Sequence, residues 1–124
     1  MFRFYNANPE GKMVGDCVIR AISMIQRLPW DEVYYGICSE GAMEHNMPSA
    51  NEVWGKYLKR CGFRRRALPD TCPECYTVRD FCYEHPYGEY ILATGTHVCA
   101  VVNGDYYDTW DSGDETPIYY WRKE

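Results

Sequence analysis

The sequence predicts a single α+β domain spanning residues 1–124, with helices first and an antiparallel sheet at the C-terminal end. Up to residue 61, apolar side chains recur at the i, i+3, i+4, i+7 spacing of amphipathic helices, and from Tyr90 onward they follow the period of strands. Asn103-Gly104 lies between two β-rich runs and predicts a two-residue hairpin, because a type I′ turn needs positive φ at both positions. A chain of 124 residues can bury one core without disulfide support.

The first half of the chain is expected to form a short strand followed by helices. The strand covers residues 2–5. The first helix begins at Cys17, with Asp16 as its N-cap, and stops before Pro29. A second helix begins directly after that proline and ends near Gly41. This order places a cysteine at the first position of the first helix.

Two capping signals mark further helix starts. Ser49 with Glu52 forms a capping box that opens a third helix ending at Gly62, and residues 77–80 (TVRD) are expected to cap a shorter helix. The sheet then follows in four strands, which are expected at residues 90–93, 96–102, 105–109 and 118–121.

Charge and composition exclude several classes of function. The net charge of −5 and the pI near 5.2 argue against broad binding to nucleic acids or to anionic membranes, because both need a positive field. No secretory signal is visible, and no run approaches the roughly 18 apolar residues of a membrane helix, so we expect a cytoplasmic protein. The seven cysteines are an odd number, which favours reduced thiols over a disulfide framework.

Cys17 is the candidate nucleophile. A thiol at the first helical position lies near unpaired backbone N–H groups and the positive end of the helix dipole, and both lower its pKa towards the reactive thiolate. The structural alternative is that Cys17 is a small apolar residue that packs the first turn.

The predicted hairpin places a histidine beside an acid. With a two-residue loop, Val102 pairs with Asp105, and His97 and Asp108 become diagonal neighbours on one face of the sheet. Asp111 falls on the other face. An orienting carboxylate fixes the histidine tautomer and stabilises the imidazolium, which is the arrangement of an activated cysteine. Cys17, His97 and Asp108 are therefore the predicted triad.

These motifs resemble a known family. Asn8 with Gly15–Ala21 (GDCVIRA), then Gly95–Gly104 (GTHVCAVVNG) and Tyr107–Asp111 (YDTWD), are similar to small papain-like proteins of phages and bacteria. These are related by fold to papain and to the peptidase domains of bacteriocin exporters. The resemblance implies a papain-like α+β fold, a nucleophilic Cys17 followed by His97 and Asp108, and a bacterial or phage-infected cytoplasm.

The resemblance also implies a reaction class. The expected function is a cysteine hydrolase that cleaves a peptide or isopeptide bond in a peptide or protein substrate, without a cofactor. Papain-type enzymes complete the oxyanion hole with an upstream glutamine, but Gly11 stands six positions before Cys17, so Asn8 or Asn6 is expected to replace it. The alternatives are a transglutaminase-like acyl transferase and a non-catalytic binding module stapled by zinc.

A second cysteine cluster lies in the middle of the chain. Cys72, Cys75, Cys82 and His85 have the Cys-x2-Cys and Cys-x2-His spacing of a tetrahedral zinc site. A redox pair or disulfide between Cys72 and Cys75 is a further alternative. Because Cys82 falls in a predicted helix that must stop at His85-Pro86, we favour unliganded cysteines and expect no bound metal.

One basic concentration stands out in this acidic chain. It comprises Lys59-Arg60 and Arg64–Arg66, at the end of the third helix and in the segment after it. A solvated face is the favoured interpretation, and docking to an acidic partner or nucleic acid is the alternative. His45 has no identifiable partner and is interpreted as a surface residue.

Overall fold

The computed structural model describes residues 1–71 and 73–124, which form an α+β fold. Within these residues four helices and six strands alternate in an irregular order. The helices are α1 (Cys17–Gln26), α2 (Trp30–Glu44), α3 (Asn51–Arg60) and α4 (Val78–Glu84). The strands are β1 (Phe2–Phe4), β2 (Phe63–Ala67), β3 (Glu89–Ala93), β4 (Val98–Val102), β5 (Asp105–Asp108) and β6 (Tyr119–Lys123). No helix in this part of the chain is long and apolar enough to cross a bilayer.

The strands form one open mixed sheet in the order β1-β5-β4-β3-β6-β2. Every neighbouring pair is antiparallel except β1 and β5, which run parallel. The sheet is therefore wider than the C-terminal third that the sequence predicts, because β1 and β2 from the first half of the chain add its two edges.

The predicted hairpin register is confirmed. Val102 pairs with Asp105 across the turn, and Ala100 pairs with Tyr107 two positions further along. Asn103 and Gly104 adopt φ of 48° and 81°, as a type I′ turn requires. The ladder between β4 and β5 thus brings the start of β4 close to the end of β5.

Helices pack on both faces of the sheet. Helices α1 and α3 contact one face, with α2 packed against both of them, and Ile22, Trp54 and Ala100 belong to the larger core cluster on this side. Helix α4 covers the other face, where Phe81 packs with Cys99. Strand β4 contributes alternate residues to both clusters, which explains its unbroken apolar run.

One predicted helix cap is confirmed in position, and another is wrong. Asp16 is the N-cap residue of α1, as predicted, but its carboxylate makes no cap bond and instead accepts hydrogen bonds from Arg20 and Trp30. Ser49 does not cap α3, which starts after Ala50. The Glu52 carboxylate accepts a hydrogen bond from Asn46 Nδ2 at 3.1 Å instead of reaching back to the helix start.

The remaining helix ends differ less from expectation. Helix α2 continues three residues beyond Gly41 to Glu44, because the exposed His45 adopts a left-handed conformation (φ 52°) and caps it. The predicted cap at residues 77–80 is confirmed at the start of α4, where Thr77 and Asp80 form a capping box with both of its hydrogen bonds present.

Candidate active site

Cys17 and His97 line the same cavity. This cavity has a volume of about 390 Å³ and lies between the first turn of α1, one side of α2, the start of α3 and residues 94–98. Cys17 enters it as the first residue of α1, where the backbone N–H has no intrahelical acceptor. His97 also lines it, from the segment immediately before β4, and its imidazole contacts the Cys17 thiol.

A tight turn holds His97, where the sequence predicts the first residues of a strand. Thr94 Oγ1 accepts a hydrogen bond from the His97 backbone N–H at 2.9 Å, and the His97 carbonyl accepts one from the Thr94 N–H at 2.8 Å. Strand β4 consequently begins at Val98 rather than at Thr96. The Trp110 ring packs 4.8 Å from the imidazole, centroid to centroid, and limits its rotation.

Asp108, and not Asp111, orients the imidazole. Asp108 Oδ2 lies 2.6 Å from His97 Nε2, which leaves Nδ1 for the thiol of Cys17. Asp111 instead accepts hydrogen bonds from the Tyr106 hydroxyl and from the Gly113 backbone N–H. The geometric prediction that rested on the hairpin register is therefore confirmed.

Asp108 is the centre of a buried polar network. Its side chain is 1% exposed and accepts hydrogen bonds from Arg20 Nη2 at 3.1 Å and from Ser112 Oγ at 2.6 Å. The other arm of the Arg20 guanidinium binds Asp16, whose second oxygen accepts the Trp30 indole N–H at 2.8 Å. Arg20 thus ties the helix that carries the thiol to the carboxylate that holds the histidine.

Sequence reasoning missed Arg20, Ser112 and Trp30 as parts of this site. The i, i+4 spacing of Asp16 and Arg20 was a signal for an ion pair, but helical pairs of this spacing usually lie in solvent. Nothing in the local pattern of Ser112 indicates that its hydroxyl reaches Asp108.

The electrostatics favour a thiolate beside an imidazolium. Burial would raise the pKa of Cys17, but the His97 hydrogen bond and charge outweigh it, helped by the Val98 backbone, and the pKa of Cys17 falls. Burial would lower the pKa of His97, yet hydrogen bonds to Asp108 and Cys17 raise that pKa to about 9. The negative sulfur and the positive ring of this pair therefore stabilise each other.

Two other thiols behave in the opposite way. Burial raises the pKa of Cys82 to about 11, and it also raises the pKa of Cys99 well above its usual range. The neighbouring imidazolium thus distinguishes Cys17 from Cys82 and Cys99, for which burial is the largest influence on the pKa. A further thiol, Cys38, lines the cavity with Cys17, on the α2 side.

The structure does not bring Asn8 or Asn6 to the cavity. The Asn8 carboxamide oxygen accepts the Glu10 backbone N–H at 2.9 Å, within its own loop. The Asn6 side chain accepts the Asn8 backbone N–H and donates to the Lys12 carbonyl. Neither asparagine lines the cavity in the described residues, because both complete local turns before α1. The predicted substitution for the missing glutamine is therefore not present in this arrangement.

The alternative zinc cluster is only partly within the described residues, because Cys72 lies outside them. His85 Nδ1 is 2.7 Å from the Phe81 carbonyl oxygen, and its ring stacks on Phe81. Cys82 lies on the buried side of α4 and packs into the smaller core cluster. Over residues 1–71 and 73–124, no three potential metal-ligating side chains form a group that could hold an ion.

The combined arrangement can perform nucleophilic chemistry on a carbonyl. It places a thiol of lowered pKa at a helix N-terminus, a proton-carrying imidazole beside it, and a buried carboxylate behind that ring.

No protein-family model, curated protein or solved structure matches this chain.

Proposed function

We propose that this protein is a papain-like cysteine hydrolase that cleaves an amide bond of a peptide or isopeptide. The observation that carries the proposal is the cavity that Cys17 and His97 share, with the imidazole bound to the buried Asp108 at 2.6 Å. A structural cysteine in the first helical turn needs neither a histidine opposite nor a carboxylate that orients it.

The first half of the reaction forms a thioester. The Cys17 thiolate attacks the carbonyl carbon of the amide, and a C–S bond forms while the oxygen takes up negative charge. The C–N bond then breaks, and His97 Nδ1 donates its proton to the leaving amine. Asp108 keeps Nε2 occupied, so that Nδ1 is the nitrogen that faces the thiol and the amine.

The second half releases the acid. Water attacks the thioester carbon while the neutral His97 accepts the water's proton, and the C–S bond breaks to regenerate the Cys17 thiolate. The Cys17 backbone N–H, at the start of α1, is positioned as a donor to the developing oxyanion. The positive end of the helix dipole adds to that stabilisation.

Site-resolved alkylation tests this proposal. Below pH 7, iodoacetamide should label Cys17 far faster than the other cysteines, and His97→Ala should remove the difference, because the imidazolium no longer stabilises the thiolate. Cys38→Ser is the matched control, since it removes the other thiol on the α2 side of the cavity without touching the ion pair. Equal labelling rates across all cysteines, measured by peptide mass spectrometry, would exclude a catalytic thiol.

A further inference from the structure

A second depression continues the cavity that contains Cys17. It has a volume of about 270 Å³, and both spaces are lined by Asn51 and Tyr119. Beyond these two residues its walls come from one side of α3 and from the outer strands of the sheet. We call this depression the α3 groove, lined by Asn51, Glu52, Gly55, Lys56, Lys59, Arg65, Tyr119 and Trp121.

The α3 groove carries positive charge in an otherwise acidic protein. Lys56 is paired with Glu44 at 3.1 Å, whereas Lys59 and Arg65 have no carboxylate partner within residues 1–71 and 73–124. The Arg65 guanidinium lies 3.9 Å from the centre of the Tyr119 ring, which orients it towards the shared wall. With a net charge of −5 overall, the chain concentrates unneutralised cations at this end of the cleft.

Two further side chains define the chemistry of the groove. Trp121 contributes to its wall, but its indole N–H is buried and closed to an occupant of the groove. The one carboxylate among the described lining residues, Glu52, already accepts a hydrogen bond from Asn46 Nδ2, so Lys59 and Arg65 are the groups of the groove that an incoming carboxylate neutralises.

The pairing of the strands gives the distance of the groove from His97, the residue that contacts Cys17. Val98 pairs with Ala93, which pairs with Tyr119, so the tyrosine lies two strands from the residue that follows His97. At about 4.8 Å per strand this is roughly 10 Å, which an extended peptide covers in about three residues. The Arg65 guanidinium lies over the Tyr119 ring. It would therefore contact a bound peptide at a residue about three to five positions from the bond that Cys17 attacks.

We propose that the substrate is a peptide or protein segment with a carboxylate about three to five residues from the scissile bond, held by Lys59 and Arg65 in the α3 groove. This rests on the proposed function, since it places the reacting amide at Cys17. Glu or Asp side chains and a chain-terminal carboxylate share this chemistry. The basic segment that follows α3 is thereby a specificity element as well as a solvated surface.

Electrophilic peptides test the proposal without a known substrate. Two probe families are needed: peptidyl chloromethyl ketones extend from the acyl side of Cys17, and chloroacetyl peptides extend from the amine side. Each contains alanines with a single Glu, or with the isosteric Gln, at the third, fourth or fifth position. A further pair carries a C-terminal carboxylate or carboxamide. Intact-mass spectrometry gives the rate of Cys17 modification.

At low salt the carboxylate probe of at least one family should modify Cys17 about three- to tenfold faster than its neutral partner. About 0.5 M NaCl should remove most of this preference, because salt screens the attraction between the probe carboxylate and the two cations. The double variant Lys59→Gln/Arg65→Gln should abolish it while the iodoacetamide rate at Cys17 stays unchanged. Arg64→Gln is the matched control, because this neighbour on β2 does not line the groove and should preserve the preference.

The possible outcomes separate the two proposals. If iodoacetamide selects Cys17 but neither family distinguishes Glu from Gln or carboxylate from carboxamide, the carboxylate proposal is wrong and the proposed function stands. A preference that survives in the double variant likewise overturns the roles of Lys59 and Arg65. If iodoacetamide does not select Cys17 in the unmodified protein, both proposals fall.

Discussion

Replacing Arg20 with methionine should destabilise the protein strongly, although this residue lies on a helix that is otherwise held by apolar packing. The guanidinium side chain is 7% exposed and bridges two carboxylates, Asp16 and Asp108, whose side chains are 3% and 1% exposed. Methionine fills similar space but leaves both buried carboxylates without their cation. Removing one partner of a buried ion pair typically costs about 3–5 kcal/mol.

The hydrogen bonds that the two carboxylates keep in Arg20→Met determine how much of the free energy of unfolding is lost. Asp108 keeps hydrogen bonds from His97 and Ser112, and Asp16 keeps the one from Trp30, so we expect the lower end, about 3 kcal/mol. With an m-value of about 1–3 kcal/mol/M, this loss moves the urea midpoint down by about 1–3 M. The measurement is equilibrium urea unfolding followed by tryptophan fluorescence.

Arg27→Met is the matched control for this measurement. Arg27 follows the same helix and binds Glu89 through two nitrogens, at 3.0 and 2.7 Å, but its side chain is 67% exposed. Pairs in solvent contribute little, so its midpoint should barely move. Equal shifts for the two variants would refute the inference that the Arg20 bridge is buried and structurally essential.

Three further predictions concern the site. The alkylation rate of Cys17 should rise with pH through a pKa below that of an ordinary thiol. Turnover that needs a proton from His97 should fall as the pH rises through about 9. A pH–rate profile measures both. In NMR titrations Asp108→Asn should lower the pKa of His97 from about 9, because the carboxylate charge is lost. Asp111→Ala should leave that pKa unchanged. The opposite pattern would contradict the assignment of Asp108 as the partner of His97. Ser112→Ala should lower the free energy of unfolding in urea by about 1–2 kcal/mol, because it removes one hydrogen-bond donor to the buried Asp108. The selectivity of iodoacetamide for Cys17 should persist. Loss of that selectivity would show that the Ser112 hydroxyl positions His97.

The part of the site that depends on local geometry was predictable from sequence. The Asn103-Gly104 turn sets the register of β4 against β5, and that register alone places Asp108 near His97. The start of α1 was equally readable, because a turn and an apolar helical pattern meet at Cys17.

The rest depends on contacts between segments that are distant in sequence. Arg20 reaches Asp108 across 88 positions, which only the packing of α1 on the sheet determines. The same packing diverts Asp16 from its expected capping role, since a buried cation is a stronger partner than a backbone N–H. Ser49 failed as a cap although it fits the motif, because the chain enters α3 one residue later, at Ala50. The parallel partner of β1 likewise has no local signal.

The separation of the site residues along the chain has a consequence for when the thiol becomes reactive. His97 and Asp108 are 11 positions apart on one hairpin, so they can meet in a local event of about 1–10 μs. Cys17 joins them across 80 positions, and such distant contacts form only after the cost of closing the intervening loop has been met. Before that docking step the thiol has neither the imidazolium nor a stable helix terminus beside it. During synthesis and folding the pKa of Cys17 is therefore that of an ordinary thiol, and it falls only when the fold is complete.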